Sequence, residues 1–213
     1  CEPGPVQGLS TQVYARKDCK RPGALTSSGA LCLMTKKRRS HLKLREYRAS
    51  DCPELTRLFY DTVHSVCAGE YTPEQLDAWA DGRPDLEAWD RSLSAHDTLV
   101  AEEEGRILGF GDMTAEGYLD RLFVHREAQG RGIASALCAA LEGRCSAPEF
   151  TVHASKTART FFQSRGYQVV REQQVERRGV LLTNFVMTRP ASEGTKKNKR
   201  LFDRDENKIK DLL

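Results

Sequence analysis

The sixteen residues 119–134 read LDRLFVHREAQGRGIA and pass from a β-strand pattern through a glycine-containing turn into a helix. The first N–H groups of a helix have no partner inside the helix and lie at the positive end of its dipole. Gly130 and Gly132 remove side chains that would block an approaching anion, and Arg126 and Arg131 add positive charge. The stretch therefore predicts a pyrophosphate site at a helix N-terminus.

The loop 129–134 on its own leaves other interpretations open. A dinucleotide fingerprint starting at Gly130 would need Gly or Ala at position 135, where the chain has Ser135, and no βαβ repeat follows. The Gly-Lys-Ser/Thr of a P-loop is missing from the sequence. The bare pattern occurs by chance in about one chain of this length in five, so a plain strand-to-helix turn explains it almost as well.

Outward from this loop, the hydrophobic patterns predict the element order βααβββαβαββ. Strands are predicted at residues 44–47, 98–101, 106–112, 118–124, 150–153, 168–175 and 180–187, and helices start near residues 51, 72, 132 and 156. Residues 80–97 are interpreted as a polar connection. This order indicates a mixed α+β sheet and not a uniform βαβ repeat.

Charge divides the chain of 213 residues into three parts. Residues 1–43 carry nine basic and two acidic side chains, residues 44–190 carry 17 and 23, and residues 191–213 carry seven and five. We therefore expect a disordered basic leader at 1–43, with a possible start at Met34, one folded domain at 44–190, and a mobile polar tail at 191–213. The acidic domain makes nucleic-acid binding an unlikely function, although the basic leader keeps it as an alternative.

The remaining composition favours a cytoplasmic protein. No stretch reaches the roughly 18–20 apolar residues of a membrane span, and no signal peptide is recognisable. Seven scattered cysteines without a CxxC pair suit neither a zinc site nor a disulfide framework, so no metal is expected.

Residues 119–124 together with 129–137 resemble the cofactor motif of the GNAT acetyltransferase superfamily. The stretches YTPEQL at 71–76, FFQSRGY at 161–167 and VERRGV at 175–180 resemble its YafP-like branch. The resemblance covers about residues 44–190. It implies a GNAT-like, mixed but largely antiparallel central sheet flanked by helices, and acetyl-CoA as the acyl donor.

The resemblance also implies roles for individual residues. In GNAT enzymes the strand before the loop splays from its neighbour and pairs with the pantetheine arm, while the loop N–H groups hold the pyrophosphate. A backbone N–H near Val124 would stabilise the oxyanion. The implied cofactor-binding residues are Leu122, Phe123, Val124, Gln129, Gly130, Arg131, Gly132, Ile133, Ala134, Ser135 and, at the place of a usual asparagine, Ser155.

Acetyl transfer to an amine needs a base, because an alkylamine has a pKa of about 10 and is protonated at neutral pH. Asp120 lies four residues before Val124, where similar enzymes carry a glutamate base, and is the first candidate. A surface role or an ion pair with Arg121 explains Asp120 equally simply. Weaker candidates are Asp112, Glu116 and His153.

The leaving thiolate has no obvious proton donor, because Phe162 occupies the position of the usual tyrosine. Water, Tyr167, Tyr71 or Tyr118 remain as sources, and Tyr167 is a weak candidate acid. Since a free thiol has a pKa of about 8.5, the missing acid need not prevent turnover.

The acceptor is expected to bind between residues 60–96 and the C-terminal hairpin. Trp79 and Trp89 are candidate lining residues, although a packed-core role suits both better, and the acidic stretch 70–104 would attract a cationic amine. The sequence thus predicts an enzyme that moves an acetyl group from acetyl-CoA to an amine of a small molecule or protein by direct attack in a ternary complex. The alternatives are a non-catalytic acyl-CoA-binding module and the nucleic-acid role. A monomer and a homodimer are both compatible with the sequence.

Overall fold

The computed structural model describes residues 42–191, which form one seven-stranded sheet with helices on both faces. The strands are β1 (Lys43–Glu46), β2 (Asp97–Glu103), β3 (Arg106–Met113), β4 (Tyr118–Val124), β5 (Glu149–Ser155), β6 (Gln168–Arg177) and β7 (Val180–Pro190). The helices are α1 (Cys52–Val66), α2 (Pro73–Trp79), α3 (Leu86–Ala95), α4 (Ile133–Arg144) and α5 (Arg159–Ser164). The leader and the tail predicted from composition lie almost wholly outside the described residues.

The sheet has the strand order β1-β2-β3-β4-β5-β7-β6. Neighbouring strands pair antiparallel except β4 and β5, which run parallel and are joined through α4. The prediction of a mixed, largely antiparallel sheet is confirmed. A parallel pair needs a crossover connection, and α4 supplies it directly after the loop 129–134.

Each face of the sheet has its own hydrophobic core. On one face, α4 packs against β2, β3 and β4 and α5 against β5 and β6, with residues such as Leu137, Leu141 and Phe162 in the core. On the other face, α1, α2 and α3 pack against β2, β3, β4 and β7, with Leu55 and Leu93 fully buried. Strand β4 lies in the middle and contributes side chains to both cores.

Helix α3 was not predicted, and the polar connection expected at residues 80–97 is therefore wrong over Leu86–Ala95. Only Leu86, Trp89 and Leu93 are apolar at helical spacing there, and charged and small residues surround them. The local start signal was present, because Asp85 caps the helix by accepting a hydrogen bond from the Ala88 N–H at 3.0 Å. Burial of Trp89 and Leu93 then holds the helix against α1 and the sheet.

No helix among residues 42–191 combines the length and apolar character needed to cross a membrane.

Candidate active site

Strands β4 and β5 separate soon after they meet. Their parallel pairing has two registered pairs, Tyr118 with Thr151 and Leu119 with Val152. Beyond Leu119, β4 continues to Val124 and remains paired with β3 on its other side. The two strands therefore open like a V toward their carboxyl ends.

The backbone of β4 faces this gap at alternate residues. The His125 N–H donates to the Leu108 carbonyl across the β3 side at 2.8 Å, which places the N–H of Phe123 on the same side. Because successive residues of a strand direct their backbone groups to opposite neighbours, Leu122 and Val124 direct theirs away from β3 and into the gap. Two of the three β4 residues predicted to meet the cofactor thus face the gap through their backbone.

The loop 129–134 has the geometry of an anion site. Gly130 and Gly132 adopt φ angles of +72° and +79°, a region that favours glycine, and a Cβ on either would project into open space. Gly132 is the N-cap of the twelve-residue helix α4, so the N–H groups of Ile133, Ala134 and Ser135 begin the helix without intrahelical partners. These N–H groups and the open space beside the glycines suit a phosphate group.

Three predicted cofactor residues have surroundings that the sequence did not reveal. The side-chain amide nitrogen of Gln129 is buried without a hydrogen-bond partner among residues 42–191, which leaves a donor beside the loop. Ser155 is fully buried at the end of β5, and its hydroxyl oxygen accepts the Ala158 N–H at 3.0 Å. Arg131 forms an ion pair with Glu103 at 2.6 Å, so its charge is partly neutralised within the protein.

A pocket of about 500 Å³ lies on the face covered by α1, α2 and α3. Its lining includes the aromatic residues Phe59, Tyr60, Trp79, Trp89 and Tyr118, and the charged residues Asp81, Arg83, Asp85, His96, Asp120, Arg121 and Arg178. The pocket thus lies between residues 60–96 and Arg178 in the turn of the β6–β7 hairpin, the place where the acceptor was expected to bind. Three aspartates and three arginines balance, so the lining is not the strongly acidic surface that stretch 70–104 indicated.

A β-bulge directs Asp120 into this pocket. Asp112 pairs with Arg121 and Met113 pairs with Leu119, which leaves Asp120 as an extra residue in β4. A bulge breaks the alternation of side chains along a strand. As a result the consecutive residues Asp120 and Arg121 both line the pocket.

Asp120 lies in an environment that opposes its ionisation. Its side chain is 7% exposed and its Oδ2 lies 3.1 Å from Arg121 Nη2, while Oδ1 is buried without a hydrogen-bond partner in the described chain. Burial, and secondly the negative charge of Asp112, raise the pKa of Asp120 to about 7, against the opposing effect of Arg121. Such a pKa suits a general base near neutral pH.

His96, which the sequence analysis did not identify, also lines the pocket. Its Nδ1 lies 2.6 Å from Oδ2 of the fully buried Asp112, and the same oxygen accepts a hydrogen bond from Arg121 Nη1 at 3.1 Å. The hydrogen bond to Asp112 raises the pKa of the His96 imidazole above its usual value. Sixteen residues separate His96 from Asp112, and β2–β3 pairing brings them together, so no local pattern could reveal the contact.

The side chains His96, Asp112 and Asp120 have donor atoms within 4.8 Å of one another. By type these donors would suit a divalent metal. However, the guanidinium of Arg121 is bonded to both carboxylates and already supplies a positive charge between them.

Of the three weaker candidate bases, Asp112 is fully buried, and the other two lie in less suitable places. Glu116 is exposed in the β3–β4 turn, and a hydrogen bond to Thr114 lowers the pKa of its carboxyl. His153 lies on β5 with its ring 5.1 Å from that of Tyr118, and burial lowers the pKa of its imidazole. Neither residue lines the pocket.

The structure weighs against Tyr167 as the acid. Tyr167 is buried in the core beneath α4, and its hydroxyl donates to Glu142 at 2.9 Å. Burial and the Glu142 charge raise the pKa of Tyr167 far above its usual value. Phe162, at the usual tyrosine position, is fully buried.

Two other tyrosines lie nearer the gap and the pocket. Tyr118 begins β4 and lines the pocket. Tyr71 accepts the Lys156 N–H at 3.1 Å, directly beyond the end of β5, and donates to the Thr183 carbonyl at 2.8 Å. Burial raises the pKa of Tyr71 to about 12, so its hydroxyl holds its proton strongly.

Comparison with known proteins shows the family to which the chain belongs. The chain matches the model of the acetyltransferase (GNAT) domain over residues 67–189. It is 37% identical over 148 residues to YafP of Escherichia coli K12, described as an uncharacterized N-acetyltransferase, and the match covers 70% of this chain and 95% of YafP. The chain therefore belongs to the GNAT acetyltransferase family, as a YafP-like N-acetyltransferase.

Solved structures show the same fold. A GCN5-related N-acetyltransferase from Rhodopseudomonas palustris superposes with a TM-score of 0.68 at 32% identity, over 71% of this chain and 96% of that one. The PaiA N-acetyltransferase of Thermoplasma acidophilum, solved in complex with coenzyme A, gives a TM-score of 0.59 at 16% identity, over 70% of this chain and 99% of that one. At that identity the second likeness supports the fold alone.

Proposed function

We propose that this protein transfers the acetyl group of acetyl-CoA to an amine of a small molecule or protein, by direct attack in a ternary complex. The observation that carries the proposal is the position of β4. One edge of the strand borders the gap that opens toward the loop 129–134, and its bulge places Asp120 in the adjacent pocket. A donor bound along the gap and an acceptor in the pocket would meet at the same strand.

Acetyl-CoA would bind along the gap beside β4, with backbone groups as its main partners. The N–H groups at the start of α4 and the Gln129 amide would hold the pyrophosphate, and the β4 backbone at Leu122 and Val124 would pair with the pantetheine arm. A backbone N–H near Val124 would face the thioester carbonyl and stabilise the developing oxyanion. Ser155 would contribute its hydroxyl at the opposite edge of the gap.

Chemistry requires the amine to lose a proton. Asp120 would remove it, the amine nitrogen would form the C–N bond, and the C–S bond would break to release coenzyme A as its thiolate. A carboxyl with a pKa of about 7 is matched to this step near neutral pH. The thiolate can leave without a tyrosine acid, because its conjugate thiol has a pKa of only about 8.5.

Pocket size and chemistry favour a small-molecule acceptor. A volume of about 500 Å³ falls within the range of small-molecule sites. The aromatic wall supplies apolar contact, and Asp120 supplies the negative charge that a protonated amine requires.

The test is a panel of small amines and peptide N-termini incubated with acetyl-CoA, with release of free thiol as the readout. Thiol release with at least one acceptor supports the proposal, and an acetyl-CoA-dependent thermal shift should accompany it. If acetyl-CoA neither stabilised the protein nor lost its acetyl group, the proposal would be wrong.

A non-catalytic acyl-CoA-binding module remains a second candidate, because Phe162 supplies no hydroxyl at the usual acid position. A clear acetyl-CoA thermal shift without thiol release across the whole panel would favour the module. The nucleic-acid alternative depends on residues 1–43, nearly all outside the described part of the chain. Salt-sensitive nucleic-acid binding that is lost on deleting them would support it.

A further inference from the structure

Four polar side chains form a connected group beneath the pocket, here called the pocket cluster: His96, Asp112, Asp120 and Arg121. Arg121 is hydrogen-bonded to Asp112, ion-paired with Asp120 and anchored on Ser92 Oγ at 2.6 Å. Its guanidinium also stacks on the Trp89 ring at 4.8 Å. Three members line the pocket, and Asp112 lies behind them with no exposed surface.

The charges of the pocket cluster do not balance without a bound proton. Within the cluster, two buried carboxylates face one permanent cation, Arg121, so an ionised cluster with neutral His96 carries one uncompensated negative charge. Arg177 of β6 also acts on Asp120, but from outside the cluster and less strongly than Arg121 or His96. An uncompensated charge is costly in a buried site unless a proton or a partner neutralises it. The cluster is therefore built to take up one proton, and Asp120 and His96 are the two groups that can hold it at neutral pH. The raised pKa values of both groups agree with this charge count.

The hydrogen bonds fix where that proton can move. Nδ1 of His96 is held by Asp112 at 2.6 Å, so the ring is oriented and Nε2 is its remaining proton-accepting atom. The His96 side chain is 20% exposed, whereas that of Asp120 is 7% exposed. A ring nitrogen of His96 and a carboxylate oxygen of Asp120 lie within 4.8 Å of each other, a separation that one water can bridge. A carboxylate orients the His96 ring, as in other enzymes that use histidine for proton transfer.

We propose that His96 is the proton-relay residue of this active site: it accepts at Nε2 the proton that Asp120 removes from the acceptor amine and passes it to solvent, while Asp112 positions its ring. This inference rests on the proposed acetyl transfer.

The proton balance is complete within the chain and water. The amine N–H bond breaks and an O–H bond forms on Asp120. When Asp120 is ionised and acts as the base, the cluster's own proton is on His96. Water takes that proton from Nε2, and the O–H bond on Asp120 breaks as a new N–H bond forms at Nε2. Asp120 returns to its ionised state, and nothing is oxidised or reduced.

Groups from each neighbouring element act on His96. Asp112 of β3 and Asp120 of β4 favour the imidazolium, and Arg121 of β4 opposes it. Glu116 in the turn between these strands also feels the imidazole charge. Conversely, a protonated His96 lowers the pKa of Asp120.

His96→Gln is the central variant, since glutamine keeps a polar side chain of similar length at this position but cannot relay a proton. We expect kcat for the best acceptor to fall about tenfold or more, with little change in KM, because general acid–base steps typically contribute 10²–10⁴-fold. The imidazolium of His96 lowers the pKa of Asp120, so the variant should have a higher Asp120 pKa than wild type. As the pH is lowered, the variant should therefore begin to lose activity at a higher pH than wild type does. Glu87→Gln, an exposed change on the same helix α3, is the matched control and should behave like wild type.

His96→Ala provides a second readout. Free imidazole should restore part of its kcat in a saturable way and leave wild type and Glu87→Gln unchanged, because only a missing proton carrier can be replaced by a mobile one. If His96→Ala does not fold, the pH profile of His96→Gln decides. An active wild type with a His96→Gln variant that matches Glu87→Gln in kcat and pH profile overturns the relay alone. An active Asp120→Asn variant overturns it too. No thiol release by wild type overturns both the relay and the acetyl transfer.

Discussion

At the residue scale, Asp120 combines a functional position with a cost to stability. Its pKa of about 7 in the folded protein exceeds the value of about 3.9 expected in the unfolded chain. A carboxyl with a raised folded-state pKa leaves stability intact below the unfolded pKa, and stability then falls until the pH reaches the folded pKa. Asp120 therefore lowers the stability of the fold progressively from about pH 4 to pH 7, because the unfolded chain releases this proton at lower pH.

The variant Asp120→Asn tests this loss of stability directly. The amide keeps the shape of the side chain and cannot ionise, so the melting temperature of the variant relative to wild type should rise between pH 5 and pH 8. Because the other titrating groups are the same in both proteins, their effects on the melting temperature largely cancel when the variant is compared with wild type at each pH. Glu87→Gln, an exposed change on α3 outside the pocket lining, is the control and should show no such trend. A flat difference for Asp120→Asn would show that its carboxyl has an ordinary pKa.

At the element scale, the loop before α4 carries the proposed phosphate site. Gly132→Glu places a carboxylate where the phosphate would lie and should abolish the acetyl-CoA thermal shift. Because Gly132 has a φ of +79°, any side chain there also strains the backbone. Gly132→Ala carries that strain without the charge and should retain a reduced shift. A full shift in Gly132→Glu would place the pyrophosphate elsewhere.

Helix α3 contributes to the fold through buried side chains and to the pocket through Ser92, with His96 directly after its end. Leu93 is fully buried, and Leu93→Ala should lower the free energy of unfolding by about 2–5 kcal/mol. Leu86→Ala removes an exposed leucine from the same helix and should cost far less. Urea unfolding of both variants gives the comparison, and equal losses would mean that α3 is not packed as described.

At the scale of the whole molecule, local signals predicted the strands and the anion loop, while long-range contacts lay beyond them. The patterns of strand β4 and of the glycine-containing turn each depend on neighbouring residues in the sequence, so both could be recognised directly. The contacts of His96 with Asp112 and of Arg131 with Glu103 depend on strand register and on distant elements. The same holds for Tyr167, whose hydroxyl donates to Glu142 of α4, 25 residues earlier in the chain.

Glu142 links helix α4 to the neighbouring elements through ion pairs, and substituting it tests how much these pairs stabilise the fold. It is a buried carboxylate of α4 that accepts from Arg165 at 2.7 Å, from Arg189 of β7 at 2.6 Å and from Tyr167 at 2.9 Å. Glu142→Gln leaves two arginines without their counter-charge, and breaking a buried pair in this way typically costs about 3–5 kcal/mol. The variant should lose stability in urea unfolding while the folded fraction keeps its acetyl-CoA affinity, because Glu142 lies in the last three residues of α4, far along the helix from the loop. Glu149→Gln, at an exposed position of β5, is the control. A stable Glu142→Gln variant would mean that the packing of α4 on β7, and not this charge network, holds the helix that begins at the proposed cofactor site.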